Sequence, residues 1–137
     1  MEIYDQPEDM TVFGVHVTTF PNGIKEAFDH LISTFGKNRT YYGISWLDEN
    51  DSVQYYAMVS EAFQEEGNKY YYEKLVIKKG EYRTEAIWNW LSKLDSIKEV
   101  FHRLMPDNRP DKNHPCVEWY KTDDEMLCMI KCKVEMI

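Results

Sequence analysis

Two hydrophobic rhythms alternate along the chain. Across Asn22–Gly36, Ile24, Ala27, Phe28, Leu31, Ile32 and Phe35 recur at the three- and four-residue spacing of one helix stripe. Asn22 suits the start of that helix and Gly36 its left-handed end. A second stripe, Ile97, Val100, Phe101, Leu104 and Met105, predicts a helix that opens on a Ser96–Glu99 capping box and stops at Pro106. Two strand-like runs follow each helix. Thr40–Leu47 and Val53–Ser60 flank the turn DENDS, and Cys116–Lys121 and Glu125–Val134 flank Thr122-Asp123-Asp124. A candidate strand precedes each helix, at Thr11–Thr19 and roughly Glu81–Trp88. Tyr70–Ile77 predicts a further strand that enters the second half through Lys79-Gly80. Residues 62–69 join the halves, and 106–115 form a polar loop.

The halves repeat at one offset. IKEAFDHL at Ile24–Leu31 matches IKEVFHRL at Ile97–Leu104 in five of eight residues, 73 positions apart. The same offset, without a gap, pairs Ile44 with Val117 and Trp46 with Trp119. It also sets Val53, Tyr55, Ala57 and Val59 against Met126, Cys128, Ile130 and Cys132. Helix, strand and hairpin in one register point to an internal duplication.

Side chains alternate along a strand, so each hairpin has two faces. The apolar set, Ile44, Trp46, Val53, Tyr55, Ala57 and Val59 with Val117, Trp119, Met126, Cys128, Ile130 and Cys132, is expected to pack on the helix stripes. That makes both tryptophans core. The other set is mixed: Gly43, Ser45, Leu47, Tyr56 and Met58, then Cys116, Glu118, Tyr120, Leu127 and Met129. Small residues make room, rings make walls and thioethers adapt, which suggests a concave binding surface at the junction of the halves. Lys131 and Lys133 share its parity and mark a wet edge. His16 falls on the same parity. The expected fold is α+β: duplicated βαββ halves with pseudo-two-fold symmetry, an antiparallel sheet with two helices on one face, and a central cleft. One domain would span residues 1–137, with half-repeats at about 10–60 and 81–134.

Composition sharpens the picture. Aromatic residues make up 15% of the chain, with ten Tyr, six Phe and four Trp, more ring surface than a core of this size needs. The net charge of −8 argues against nucleic acid as a partner, and Lys78, Lys79 and Arg83 lie among acidic neighbours. The acidic start MEIYDQPED is unlike a secretory signal, and no apolar run is long enough for a membrane span. Cys116, Cys128 and Cys132 lack CxxC spacing and read as small buried hydrophobes, so a reduced, cytoplasmic location is expected. His16, His30, His102 and His114 show no metal spacing, and no nucleotide loop is present, so neither metal nor cofactor is expected.

Glu118 stands out. A carboxylate among apolar and aromatic neighbours must be hydrogen-bonded, shift its pKa or await a cationic or donor ligand. From spacing alone it could equally reach water or pair with a lysine.

The motifs IKKGEY at Ile77–Tyr82, IKEVF at Ile97–Phe101, PCVEWY at Pro115–Tyr120 and EMLCMIK at Glu125–Lys131 give the chain a resemblance to the GyrI-like family. That family includes effector-binding domains of AraC-type and MerR-type regulators. The resemblance implies two pseudo-symmetric halves flanking a cleft, with the family's acidic cleft residue at Glu118. No helix-turn-helix precedes the first strand here, which puts DNA binding by the chain itself in doubt. Trp90 is the ring chosen for the cleft, although Ile87–Trp90 fits either a strand or a helix start.

Three readings follow. The first is a stand-alone module for a partly apolar, drug-like molecule, cationic or neutral, with Glu118 as its charge or hydrogen-bond partner. Tyr120, Tyr56, Trp90, Met58, Met129, Ser45 and His16 complete that site. The second is a hydrolase of electrophilic cyclopropane-type natural products, as some family members are described, with Glu118 as general base and Tyr120 as donor. The third is a protein-binding inhibitor, by resemblance to a member that associates with gyrase.

Overall fold

The computed structural model describes residues 1–105 and 109–132. Pro106, expected to stop the second helix, Lys133, expected at the wet edge, and Val134, expected to end the last strand, lie outside them. In chain order the elements are β1 (Glu2–Gln6), β2 (Met10–His16), α1 (Ile24–Phe35), β3 (Tyr41–Leu47), β4 (Val53–Ser60), β5 (Glu73–Ile77), β6 (Gly80–Trp88), α2 (Ile97–Leu104), β7 (Cys116–Tyr120) and β8 (Glu125–Lys131). Three short 3-10 turns, Glu66–Tyr70, Trp90–Ser92 and Leu94–Ser96, lie between. None of the described helices is long and apolar enough to cross a membrane.

All eight strands join one antiparallel sheet in the order β1-β6-β8-β7-β3-β4-β2-β5. The run β6-β8-β7 mirrors β2-β4-β3 about the central β7–β3 pair. Two βαββ halves therefore meet strand to strand, as the duplication predicted. Their leading strands cross over: β1 pairs with β6 and β5 with β2.

That exchange forces the sheet to curl. In a flat sheet β5 and β6 would stand six spacings apart, about 29 Å at ~4.8 Å each. Lys78-Lys79 is all that connects them, and three Cα–Cα steps reach at most about 11 Å. The β1–β2 connection, Pro7 to Asp9, closes the same gap from the other side. The two connections touch where the Lys79 N–H donates to Asp9 Oδ1 at 2.8 Å.

The inside of the curl is packed with Val12, Tyr42, Ile44, Trp46, Met58 and Met129, among others. Both helices lie on the outside. α1 packs on Phe13, Tyr55, Ala57 and Val59, and α2 on Ile87, Met126, Cys128 and Ile130. The expected division into faces is thus corrected. Leu47 pairs with Val53 and Tyr120 with Met126, across connections of odd length, so equal parities share a face. Ile44, Trp46, Val117 and Trp119 turn into the curl, away from the helices. The two tryptophans pack there with Tyr56 and with Tyr4 and Tyr42.

Two helix starts also differ. Gly23 takes the cap position of α1 at φ 94°, while Asn22 is held in a turn by Thr19. Ser96 is already helical because the preceding 3-10 turn feeds straight into α2, so no capping box forms.

Candidate functional site

The central strands β3 and β7 run between the two helix contacts, and their outward side chains form a strip whose Tyr41 packs with α1 and whose Cys116 and Tyr120 pack with the α2 cluster. In that strip Gly43 pairs with Glu118 and Ser45 with Cys116. At the 73-residue offset Ser45 is the counterpart of Glu118, so the duplicated strip carries its carboxylate on one half alone.

Glu118 is buried, 8% exposed. Tyr55, reaching diagonally from β4, donates to its Oε1 at 2.8 Å, and Tyr120, two residues along β7, donates to the same oxygen at 2.5 Å. Among the described residues no side chain or backbone N–H donates to Oε2, and none of the ion pairs includes Glu118. Burial pushes the Glu118 carboxyl above its ordinary range, and the two tyrosine hydroxyls pull it back in part. Both phenols are driven well above theirs, first by burial and then by the neighbouring carboxylate, so they remain donors. Burial and Glu118 likewise push the Cys116 thiol to about 12, and Cys128, directly opposite Glu118, is raised too. Neither is a nucleophile in this setting.

Gly43 makes the arrangement possible. A Cβ there would fall on Tyr55 Oη and Glu118 Oε1, so the bare backbone is what lets the hydroxyl cross the strand to the carboxylate.

Rings from three segments surround the pair. Phe20, in the loop before α1, stacks on Tyr55 at 5.4 Å. Phe28 of α1 and Trp90 of the 3-10 turn meet Tyr120 edge-on at 5.5 and 5.0 Å. The Trp90 turn is tied down by two bonds to the β7–β8 connection. The indole N–H donates to Thr122 O at 3.2 Å, and the Asn89 N–H to Asp124 O at 2.6 Å. Beside them Trp88, Leu91 and Leu94 are exposed, so this wall is weakly buried from outside.

Of the residues singled out in the sequence, the strip brings together Glu118, Tyr120, Ser45 and Trp90. It does not bring in Tyr56, Met58, Met129 or His16. Those four share the opposite face, because β4 and β8 present their even and odd positions to the two sides in the reverse sense to that expected. Met58 and Met129 are closed inside the curl. Tyr56 is sandwiched between Trp46 at 5.1 Å and His16 at 4.4 Å, and His16 Nε2 lies 3.0 Å from Gln54 Oε1. Tyr55, Phe20 and Phe28 are the additions. Tyr55 could have been found from the odd length of DENDS. Phe28 was visible as a stripe residue, but nothing in the sequence marks Phe20.

Among the described residues no group of three or more His, Cys, Asp and Glu could hold a metal ion. No family model and no curated protein matches the chain. Solved structures do match. An integron cassette protein, VCH_CASS2, from the mobile metagenome of Vibrio cholerae superposes with a TM-score of 0.66 at 14% identity, covering 96% of this chain and 95% of that one. SAV2435, in a structure bound to tetraphenylphosphonium, gives 0.62 at 11% identity over 96% and 93%. A transcription-regulation protein (so described provisionally) from Staphylococcus aureus MU50 gives 0.58 at 12% identity over 96% and 97%. At these identities the likeness is one of fold, and the curled α+β sheet with two helices is consistent with a GyrI-like fold.

Proposed function

We propose that this chain is a GyrI-like binding module for a lipophilic cation seated against Glu118. The observation that carries the reading is a buried carboxylate that two tyrosines support and no described cation neutralises, walled by aromatic rings. Such a group gains most from a positive ligand that loses little on leaving water, and ring faces attract the same ligand. A bulky quaternary cation meets both conditions, whereas a small metal ion would need more oxygen ligands than the strip supplies. The tetraphenylphosphonium held by SAV2435 is a cation of this class on a chain of the same fold, which supports the reading. Entry requires the rings over Tyr120 to part, and the Trp90 turn, exposed and held by two bonds, is the wall that yields.

The test is a fluorescence titration with tetraphenylphosphonium on the wild type and Glu118→Gln. Loss of the charge is expected to weaken binding at least about tenfold, which corresponds to ~1.4 kcal/mol. Equal affinity in the two proteins would reject the reading.

The same geometry favours one other function. A carboxyl raised by burial, with a phenol 2.5 Å away, has the parts of a general base and a donor. A cyclopropane electrophile would be turned over by the wild type and merely bound by Glu118→Gln if the module is a hydrolase. Stoichiometric binding without product would leave the module alone standing.

A further inference from the structure

We propose a second binding site, inside the curl of the sheet, for a small aromatic or short-chain carboxylate. One end of that interior is open rather than filled, as a cavity of about 170 Å³. Its floor is Ile44, Trp46, Ile77, Tyr82 and Val117, all buried. A cavity of ~150 Å³ lined by apolar side chains takes a benzene ring, so one ring with a short chain fits here and a tetra-aryl cation does not.

The mouth selects the head group. Lys78, Lys112 and Lys131 line it, from the β5–β6 turn, the loop before β7 and the end of β8. They converge through the fold, not through a run of charge in the sequence. The chain has 24 acidic and 16 basic residues, yet no Asp or Glu is among the described residues lining this cavity. None of the three lysines enters an ion pair among the described residues. Asp9, the acidic group at the adjoining connection, already accepts from the Lys79 N–H, and the Tyr82 hydroxyl donates to Lys78 O at 2.6 Å. An apolar floor under three ammonium groups that no described carboxylate pairs calls for an anion with an apolar body. This site is opposite in sign to the Glu118 strip and on the other face of the sheet, so it stands or falls separately from the proposed function.

The experiment is a titration of the full chain with 3-phenylpropionate, followed by amide and indole shifts, beside its neutral analogue 3-phenylpropanamide. The carboxylate is expected to shift the Trp46 indole and the Val117 and Ile77 amides, and to bind about tenfold more tightly than the amide. The double variant Lys112→Met/Lys131→Met is expected to remove that advantage while its spectrum stays that of a folded protein, and Glu118→Gln is expected to keep it. Equal affinity for carboxylate and amide would overturn the proposal. So would the absence of shifts around Trp46 at millimolar ligand, or loss of the carboxylate's binding in Glu118→Gln.

Discussion

Glu118 couples stability to pH in a definite direction. Burial raises its carboxyl in the folded chain, so the folded state keeps the proton to a higher pH than the unfolded state does. The stability this group contributes is complete below the ordinary glutamate range and is lost as pH rises through the raised folded value. Urea midpoints followed from neutral pH down to the ordinary glutamate range are therefore expected to climb more on acidification for the wild type than for Glu118→Gln. Parallel curves would contradict the assignment. Cation affinity is expected to run the other way, increasing with pH as the carboxylate forms. Gly43 offers a second residue-scale prediction. Gly43→Ala puts a methyl group where the Tyr55–Glu118 bond lies, and is expected to destabilise by about 1–3 kcal/mol in urea denaturation. A change under about 0.5 kcal/mol would mean that the bond is easily displaced. At this scale the sequence was legible in chemistry but not in contact. Glu118 and Tyr120 stand out from their neighbours, whereas Tyr55 reaches the carboxylate across 63 positions of chain.

At the scale of elements, spacing located both helices and seven of the eight strands. Periodicity is a local property, and burial imposed it there. β1 escaped because Glu2–Gln6 is short and mostly exposed, with Tyr4 as its main inward anchor against Trp119. The division of the hairpins into faces failed for a different reason. Face membership depends on the parity of the turn, and one residue more or less in DENDS exchanges every side chain between helix side and curl. The duplication register also slips in one place. Val15 faces Ala57 while Arg83 faces Ile130, so Arg83, not the Trp88 given by the 73-residue offset, is the counterpart of Val15. The residues gained in the second half form the Trp90 turn, which is why Ile87–Trp90 resisted a register. A further prediction concerns the segment joining the halves. Buried Glu66 is held by Arg39 at 2.7 Å and by the Ala62 N–H at 2.9 Å, and Arg39 also donates to Ser60 O. Burial raises the Glu66 carboxyl, but the bonds from Arg39 and Ala62 outweigh it and hold the group below its usual range. Arg39→Met is expected to destabilise by about 2–3 kcal/mol, with the wild-type advantage fading as pH falls through the Glu66 value. An advantage independent of pH would assign the effect to packing on Phe35 instead.

The whole molecule is governed by the exchanged strands. Because β1 belongs to the second half's edge and β5 to the first half's, neither half can open without stripping a strand from the other. Unfolding is therefore expected to be one transition, with tryptophan fluorescence and far-ultraviolet circular dichroism giving the same midpoint; separated midpoints would mean that the halves fold alone. The same closure makes the inner and outer faces chemically distinct. The outer strip carries the Glu118 carboxylate, and the mouth of the curl carries three lysines that no described carboxylate pairs. Charge sign at the strip can be tested with two molecules of nearly one shape, tetraphenylphosphonium and tetraphenylborate, titrated calorimetrically into the same protein. The phosphonium is expected to bind at one site per chain, with affinity that falls in Glu118→Gln, and the borate is expected to give no heat at that site. Binding of both ions with similar affinity, or of the borate alone, would contradict a site built around the Glu118 charge.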